Sequence, residues 1–404
     1  MSFSQFKLDP RLLHNVRALG FEQPTPIQRE TIPIALKGHD VLGSAETGTG
    51  KTAAYLLPLL QRLLAAPTRQ PRALVLVPTR ELALQVLEHA QALSGQTRLR
   101  SAAIYGGVGY GSQDEALKRG VDVVVATPGR LLDHVERKTI GFDSLQALVL
   151  DEADRMLDVG FLPDIRRIVR LLPRQRQTML FSATLHPILQ LAAEVTRSAV
   201  RVEAAKAPAP HLIAQTLFPV PEHLKFQVLE KLLQERDMDS VLIFTRTKHR
   251  ADRLVKHLAR SKVQAQVIHG NRSQGQRVAA LEAFKRGRAR VLVATDIAAR
   301  GIDVEGVSHV VNYDVPMQPE DYVHRIGRTG RAQAEGEAYT LVTPADERMV
   351  HRIEAVLQRK IQRRSVDGIG YHRPALVQPD AEAIRRYVEA NRHRGPKAAP
   401  ARSH

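Results

Sequence analysis

Leu148-Val149-Leu150-Asp151-Glu152-Ala153-Asp154 decides the architecture. An apolar run of strand character ends in two adjacent carboxylates, and a third acid follows two residues later. Acids at a strand tip can help hold Mg²⁺ and activate a water beside a nucleotide phosphate. Paired acids also occur on strand tips by chance, so the reading depends on what else the chain supplies. Upstream it supplies a phosphate loop, Ala45-Glu46-Thr47-Gly48-Thr49-Gly50-Lys51-Thr52. That loop follows the short apolar run Asp40-Val41-Leu42 and precedes the helix-like Ala53-Ala54-Tyr55-Leu56-Leu57, the strand–loop–helix setting such a loop requires. Glycines let backbone N–H groups turn toward phosphate oxygens, and the helix N-terminus adds a positive dipole end. Lys51 is placed for the β- and γ-phosphates and Thr52 for Mg²⁺. Ala45 stands where the usual first glycine would be, and a flexible surface turn is the competing reading of the same residues.

The chain of 404 residues is long enough for two or three domains. Its 43% hydrophobic content supports real cores. Fifty-nine Lys and Arg against forty-two Asp and Glu give a net charge of +17, which points first to a polyanion partner. A generally basic surface is the alternative, and an acidic membrane face is disfavoured because no long basic amphipathic helix stands out. Cysteine is absent, which excludes a disulfide framework and thiolate chemistry. Met1-Ser2-Phe3-Ser4-Gln5-Phe6 lacks the basic-then-apolar pattern of a signal peptide. No apolar run approaches the ~18 residues a bilayer span needs, and a cytoplasmic location is the default expectation.

Short β-rich runs alternate with longer helical stretches, the pattern of parallel α/β layers. In the first half the strand candidates are 73–77, 101–105, 121–126, 147–150 and 178–181. In the second they are 215–218, 241–244, 265–268, 291–294, 309–312 and 338–342. Continuous apolar runs such as Val121-Asp122-Val123-Val124-Val125 suit strands covered on both faces. Residues 204–210 are small or proline and read as a linker. The expected domains are 1–203 and 212–370, joined by 204–211 and followed by a basic, partly disordered tail over 371–404. Within that tail, Asp380 is placed to cap a short helix carrying Ile384, Tyr387 and Val388 on one face.

The halves echo one another. Val123-Val124-Val125-Ala126-Thr127 resembles Val291-Leu292-Val293-Ala294-Thr295, and Val75-Leu76-Val77-Pro78-Thr79-Arg80 resembles Leu242-Ile243-Phe244-Thr245-Arg246. Convergence on similar strand-end chemistry is equally open. Only the first half has a phosphate loop, so one nucleotide per chain is expected. In the second half, Tyr322-Val323-His324-Arg325-Ile326-Gly327-Arg328-Thr329-Gly330-Arg331 sets three arginines at spacing three. Arginines from a second lobe can stabilise charge on a transferring phosphoryl group; a solvated basic patch is the plainer alternative. The loop from Asp296 to Asp303 follows another strand end, where open α/β sheets bind ligands.

Taken together these motifs resemble those of the DEAD-box RNA helicases of superfamily 2, similar to the bacterial RhlE-type group. The likeness runs from Phe3 to about Pro344. It is carried by Gly20 to Gln28, the phosphate loop, Pro78-Thr79-Arg80-Glu81-Leu82, Gly106-Gly107 and Thr127-Pro128-Gly129-Arg130. Asp151 to Asp154, Ser182-Ala183-Thr184, Asp296 to Asp303 and His324 to Arg331 complete the set. Ala45 matches the family form of the loop, and Glu46 replaces its more frequent glutamine.

The resemblance implies two tandem RecA-like parallel-sheet domains, an ATP hydrolase with Mg²⁺, and RNA as partner. It implies that Gln28 reads the adenine edge, that Phe3 stacks on the base and that Asp303 holds the ribose. Asp151 with Thr52 would act on Mg²⁺, Glu152 would polarise the attacking water, and Arg328 and Arg331 would be the arginine fingers. Asp154, Ser182, Thr184 and His324 would couple the nucleotide site to RNA and to the other lobe. RNA contacts would come from Thr79, Arg80, Gly107, Thr127 and Arg130 in the first lobe and from Arg246, Gln274, Arg277 and Thr295 in the second. Aromatics make up only 4% of the chain, which favours backbone-directed binding over base-by-base reading. The implied activity is local unwinding of short RNA duplexes or remodelling of ribonucleoproteins, in settings such as ribosomal precursors or RNA decay. An ATP-gated RNA clamp and a DNA remodeller of the same superfamily are the rivals.

Overall fold

The computed structural model describes residues 2–45, 49–64, 70–203, 213–234, 238–299, 304, 306–330 and 336–371. These form two lobes, each built on a seven-stranded sheet. The strands of the first are β1 Val41–Ser44, β2 Ala73–Leu76, β3 Ser101–Ile104, β4 Val123–Ala126, β5 Ala147–Leu150, β6 Gln177–Ser182 and β7 Val200–Glu203. Those of the second are β8 Ile213–Pro219, β9 Val241–Thr245, β10 Ala265–Ile268, β11 Val291–Thr295, β12 His309–Asn312, β13 Gly336–Val342 and β14 Gln362–Arg363. All recorded pairings are parallel. Parallel strands need crossovers, and helices on both faces bury them. Every residue of β2, β4 and β5 is buried accordingly. The expected α/β class is the observed one. Every expected strand is present, while β7 and β14 are additional.

The first sheet runs β3-β4-β2-β5-β6-β1-β7 and the second β10-β11-β9-β12-β13-β8-β14. Subtracting seven from each label of the second reproduces the first, so the lobes share one topology. Both sequence echoes fall on equivalent strands, β4 with β11 and β2 with β9. One echo needs correcting in register. The hydroxyl oxygen of Thr79 accepts the Leu82 N–H and caps the helix Arg80–Ser94. The residue doing the same in the second lobe is Thr247, which accepts from Arg250 N and caps the helix Lys248–Arg260. Thr79 therefore corresponds to Thr247, two residues beyond the Thr245 that sequence similarity pairs with it.

Polar side chains seal the N-terminal rim of the first sheet. Arg72 and Asp122 form a buried ion pair at 2.6 Å just before β2 and β4. Asp40, just before β1, accepts from Thr178 N at 2.7 Å and Arg197 N at 2.6 Å. The opposite rim, at the strand C-termini, carries the loops that hold the candidate functional residues, as open α/β sheets favour.

In the second lobe the equivalent rim is occupied by its own side chains. Lys225 opens the helix after β8 as Lys51 opens the helix after β1. Asp314 lies two residues past β12 as Glu152 lies two residues past β5. Lys225 Nζ sits 3.3 Å from Asp314 Oδ1, and Arg250 Nε sits 3.1 Å from Asp314 Oδ2.

Candidate nucleotide and RNA site

Strand β5 delivers the acid pair. Asp151 N donates to Leu76 O at 2.9 Å, which prolongs the ladder to the strand tip. The chain then turns sharply, with Glu152 in the left-handed region at φ 52°. For a residue with a Cβ this conformation costs about 1–2 kcal/mol, and local bonds offset it. Glu152 N donates to Asp151 Oδ1 at 2.9 Å, and Arg155 N to Asp154 Oδ1 at 3.0 Å. The Arg155 guanidinium donates to Glu152 Oε2 in a buried ion pair. Burial alone would raise the Glu152 pKa; Arg155, joined by Lys51 and by Arg328 of the second lobe, outweighs it and holds the carboxyl below its ordinary value. Burial pushes Asp151 the other way, up to about 6, against the pull of Lys51. Tyr55 Oη donates to Asp151 Oδ2 at 2.8 Å.

Of the phosphate loop, Ala45, Thr49, Gly50, Lys51 and Thr52 are described, and Glu46, Thr47 and Gly48 lie outside the described residues. Lys51, the first residue of the helix Lys51–Leu63, is buried and donates from Nζ to Ala45 O at 2.6 Å. Gly50 takes φ +91°, and a Cβ there would lie 2.4 Å from Gln28 Nε2. Glycine is required at this position on both counts. Gln28 Nε2 donates to Gly50 O at 3.0 Å, and Gln28 Oε1 accepts from Thr25 N at 3.0 Å. Nε2 thus ties Gln28 to the phosphate loop and Oε1 ties it to the N-cap of its own helix, so half of the amide's two donors and two acceptor sites is committed. Phe3 is buried, with its ring edge-on to Phe6 and stacked on Phe21 at 6.3 Å.

Asp154 links β5 to β6. Its Oδ2 accepts from Ala183 N, Thr184 N and Thr184 Oγ1, each at 3.1 Å. Ser182 Oγ donates to Thr184 O at 2.6 Å and locks the turn. A shift of the acid strand therefore moves the Ser182–Thr184 segment with it.

The second lobe closes the site. His324 lies on the helix Pro319–Ile326. Burial and then the Arg155 guanidinium of the first lobe hold its pKa below the ordinary value, with Asp154, Asp321 and Glu152 pulling the other way. A cleft between the lobes is lined by Arg155, Asp296, Asp321, His324 and Arg328. Arg325 is consumed structurally: it grips Asp296 at 2.6 and 2.8 Å and donates to Asn312 Oδ1 and Asp314 O. Arg328 is the buried second-lobe arginine of this cleft. Its carbonyl accepts from Val307 N at 3.2 Å, and the adjacent Thr329 Oγ1 donates to Val307 O at 2.5 Å. Arg331 and Asp303 lie outside the described residues, as do the linker 204–211 and the tail beyond Tyr371.

Around this centre the expected RNA contacts fall on the strand-end loops. Arg80 crosses the Gly106-Gly107 turn so closely that a Cβ on Gly107 would meet its guanidinium at 1.8 Å. Arg130 donates twice to Val108 O at 3.0 Å and lies over the Tyr110 ring at 4.2 Å, bracing the same loop. Thr127 follows β4 as the N-cap of the helix Pro128–Glu136, and Thr295 ends β11. Arg246 is half-exposed beside Asp346. Gln274 is buried, and both its amide atoms lack a hydrogen-bond partner. A buried orphan amide is costly and calls for a ligand or a water. Arg277, also expected among the RNA contacts, bridges the lobes: its Nη2 sits 3.0 Å from Glu81 Oε2, with both side chains nearly buried.

A family model for DEAD/DEAH box helicases matches residues 25–191, and one for the helicase conserved C-terminal domain matches residues 224–333. The chain is 45% identical over 363 residues to the ATP-dependent RNA helicase CshA of Listeria monocytogenes, covering 89% of this chain and 69% of that one. The chain belongs to the DEAD-box ATP-dependent RNA helicases. Identity between this helicase and the DEAD-box ATP-dependent RNA helicase CshA of Bacillus subtilis is 42% over 393 residues, 97% of this chain and 79% of that one. Among solved structures, Saccharomyces cerevisiae Dbp5 bound to RNA and ADP BeF3 superposes with TM-score 0.81 at 33% identity, over 91% of this chain and 96% of that one. A variant of the same yeast protein bound to Nup159, Gle1, IP6 and ADP gives TM-score 0.63 at 31% identity, over 95% and 99%. The lobes of this helicase thus sit nearer to the arrangement of the RNA-bound yeast structure.

Three residues of the helicase site escape a reading of its motifs: Tyr55 beside Asp151, Arg155 beside Glu152, and Glu81 opposite Arg277. Tyr55 had only its helical spacing from Thr52 as a signal, three residues on and therefore on the same helix face. Arg155 sits at the same spacing from Glu152. Glu81 was visible only as part of a motif, with nothing to indicate a partner almost two hundred positions away.

Proposed function

We propose that ATP hydrolysis at the first lobe drives opening and closing of the two lobes on RNA, and that closure separates short duplexes locally. The observation carrying this is that Arg328 of the second lobe lines one cleft with Arg155 of the first, the partner of Glu152. Hydrolysis chemistry is then complete only when the lobes meet. Glu152 is the base that takes a proton from the attacking water, Lys51 holds the phosphate tail, and Arg328 meets charge as it grows on the γ-phosphoryl oxygens. Arg331 and Asp303 belong to the same proposal, as second finger and ribose contact. So do Phe3 and Gln28 as base contacts, with Glu46, Thr47 and Gly48 in the phosphate loop.

Asp151, held by the Tyr55 hydroxyl, and Thr52, second residue of the helix Lys51–Leu63, offer hard oxygen donors. Such a pair suits Mg²⁺, which takes one or two protein oxygens and completes its shell with phosphate and water. When bound, Mg²⁺ would neutralise phosphate charge and orient the γ-phosphoryl group.

RNA enters the proposal through Thr79, Arg80, Gly107, Thr127 and Arg130 on one lobe and Arg246, Gln274, Arg277 and Thr295 on the other. Arg80 adjoins Glu81, the residue that Arg277 grips across the cleft. Opening the lobes would return both charges of this pair to water, so it fixes the register of closure more than it supplies its energy. RNA seated on Arg80 therefore acts beside a contact that only the closed arrangement makes. Single-stranded RNA should raise steady-state ATPase at least about tenfold over the basal rate, DNA of equal length much less, and a short RNA duplex should be displaced in the presence of ATP. Lobe closure as the trigger for hydrolysis would be refuted by a rate indifferent to RNA. Stimulation without displacement would favour the RNA clamp.

The finer grouping with bacterial RhlE-type helicases is part of this proposal, as are ribosomal precursors or the RNA-decay machinery as settings. Complementation of bacterial strains lacking either an RhlE-type helicase or CshA tests the grouping; rescue of the CshA-deficient strain alone would reject it.

A further inference from the structure

We propose that Tyr55 is a positioning residue for the metal-bearing end of the nucleotide site, its hydroxyl fixing the Asp151 carboxylate beside the helix turn that carries Thr52. The inference rests on the reading above in which Asp151 and Thr52 hold Mg²⁺. Tyr55 lies three residues beyond Thr52 on the helix Lys51–Leu63, one turn on and on the same face. Its ring is fully buried and tilted against Phe181, with centroids 5.4 Å apart. Phe181 in turn presses on Gly43, where a Cβ would lie 2.6 Å from the ring. The tyrosine therefore has no room to swing away.

Its hydroxyl donates to Asp151 Oδ2 at 2.8 Å, while Glu152 N–H donates to Oδ1 at 2.9 Å. Each carboxylate oxygen thus has one fixed donor, and the plane of the group is set. Carboxylate oxygens accept more than one bond, so each keeps capacity toward the phosphate loop. Thr52 sits one helical turn before the tyrosine, so the same helix face carries both hydroxyls. Outer partners of this kind orient metal ligands and commonly cost 10–100-fold in metal affinity when removed. The plainer alternative is a core tyrosine whose hydroxyl needed some acceptor on burial.

The two readings differ in what Tyr55→Phe does, since phenylalanine keeps the ring packing and deletes only the hydroxyl. Mn²⁺ serves as the probe, titrated by electron paramagnetic resonance into the full chain saturated with ADP. Tyr55→Phe should weaken Mn²⁺ binding about tenfold and leave ADP affinity measured in EDTA unchanged. Asp151→Asn should weaken Mn²⁺ by itself, and Tyr55→Phe should add little on that background, because residues acting through one another are not additive. Unchanged Mn²⁺ affinity in Tyr55→Phe would overturn the inference. So would an equal loss of ADP affinity in EDTA, or full additivity with Asp151→Asn. Were Asp151→Asn to leave Mn²⁺ affinity intact, the metal reading itself would fall and this inference with it.

Discussion

Glu152→Gln should lower steady-state ATP hydrolysis by about 10²–10⁴-fold, the usual contribution of a general base, while ATP-dependent RNA binding persists. The substitution is chosen for its shape. Arg155 is buried against Glu152, and alanine would strand that guanidinium without a partner. An unpaired buried charge destabilises by several kcal/mol, so a dead alanine variant would say little about chemistry. Glutamine keeps an acceptor for Arg155 and the left-handed backbone, and loses only the ability to take a proton. Filter binding of labelled single-stranded RNA with and without ATP, beside a phosphate-release assay, separates the two properties. Turnover at the wild-type rate would remove Glu152 from its proposed role.

Arg328→Ala carries the second large effect. Arginines supplied from a second lobe are worth about 10³–10⁵ in rate, and Arg328 is the described one whose charge reaches Glu152. Its loss should depress hydrolysis by a factor in that range. ATP affinity should change far less, because Lys51 and the phosphate loop belong to the other lobe. A fluorescent ATP analogue reports affinity and single-turnover hydrolysis reports rate. If both fell by the same factor, Arg328 would be a binding residue and the composite site would need another source of positive charge. Arg325→Ala makes a poor control, since its guanidinium holds Asp296, Asn312 and the chain at Asp314 together.

What the sequence disclosed follows from where the chemistry is encoded. A phosphate loop and a strand-end acid pair work through neighbours in the chain, so Gly48-Thr49-Gly50-Lys51-Thr52 and Asp151-Glu152 declare themselves. Tyr55, Arg155 and Glu81 act through space: nothing in their local sequence separates the first two from ordinary helix residues, and the motif that contains Glu81 says nothing of Arg277. The three arginines from Arg325 to Arg331 look alike at spacing three, yet burial against Asp296 makes Arg325 a structural strut. Central strands were readable because both faces are buried and the whole run is apolar. β7 lies at a sheet edge with Val202 its only buried residue, and β14 is two exposed polar residues, so neither carries a hydrophobic pattern. The offset between Thr79 and Thr245 arose because similar letters lie near both strand ends, whereas the helix caps fix the true equivalence at Thr247.

The matching topology of the lobes has a consequence for how much work one cycle can do. In the first lobe the acid pairs with Arg155 and the lysine with Ala45 O; in the second, Lys225 and Asp314 have neutralised each other. Under the proposed mechanism that half would be a passive jaw. With a single combustion chamber there would be no twin to fire on the return stroke, and nothing to hand the polymer forward while the first chamber reloads. Such a molecule would pry once, let go and begin again.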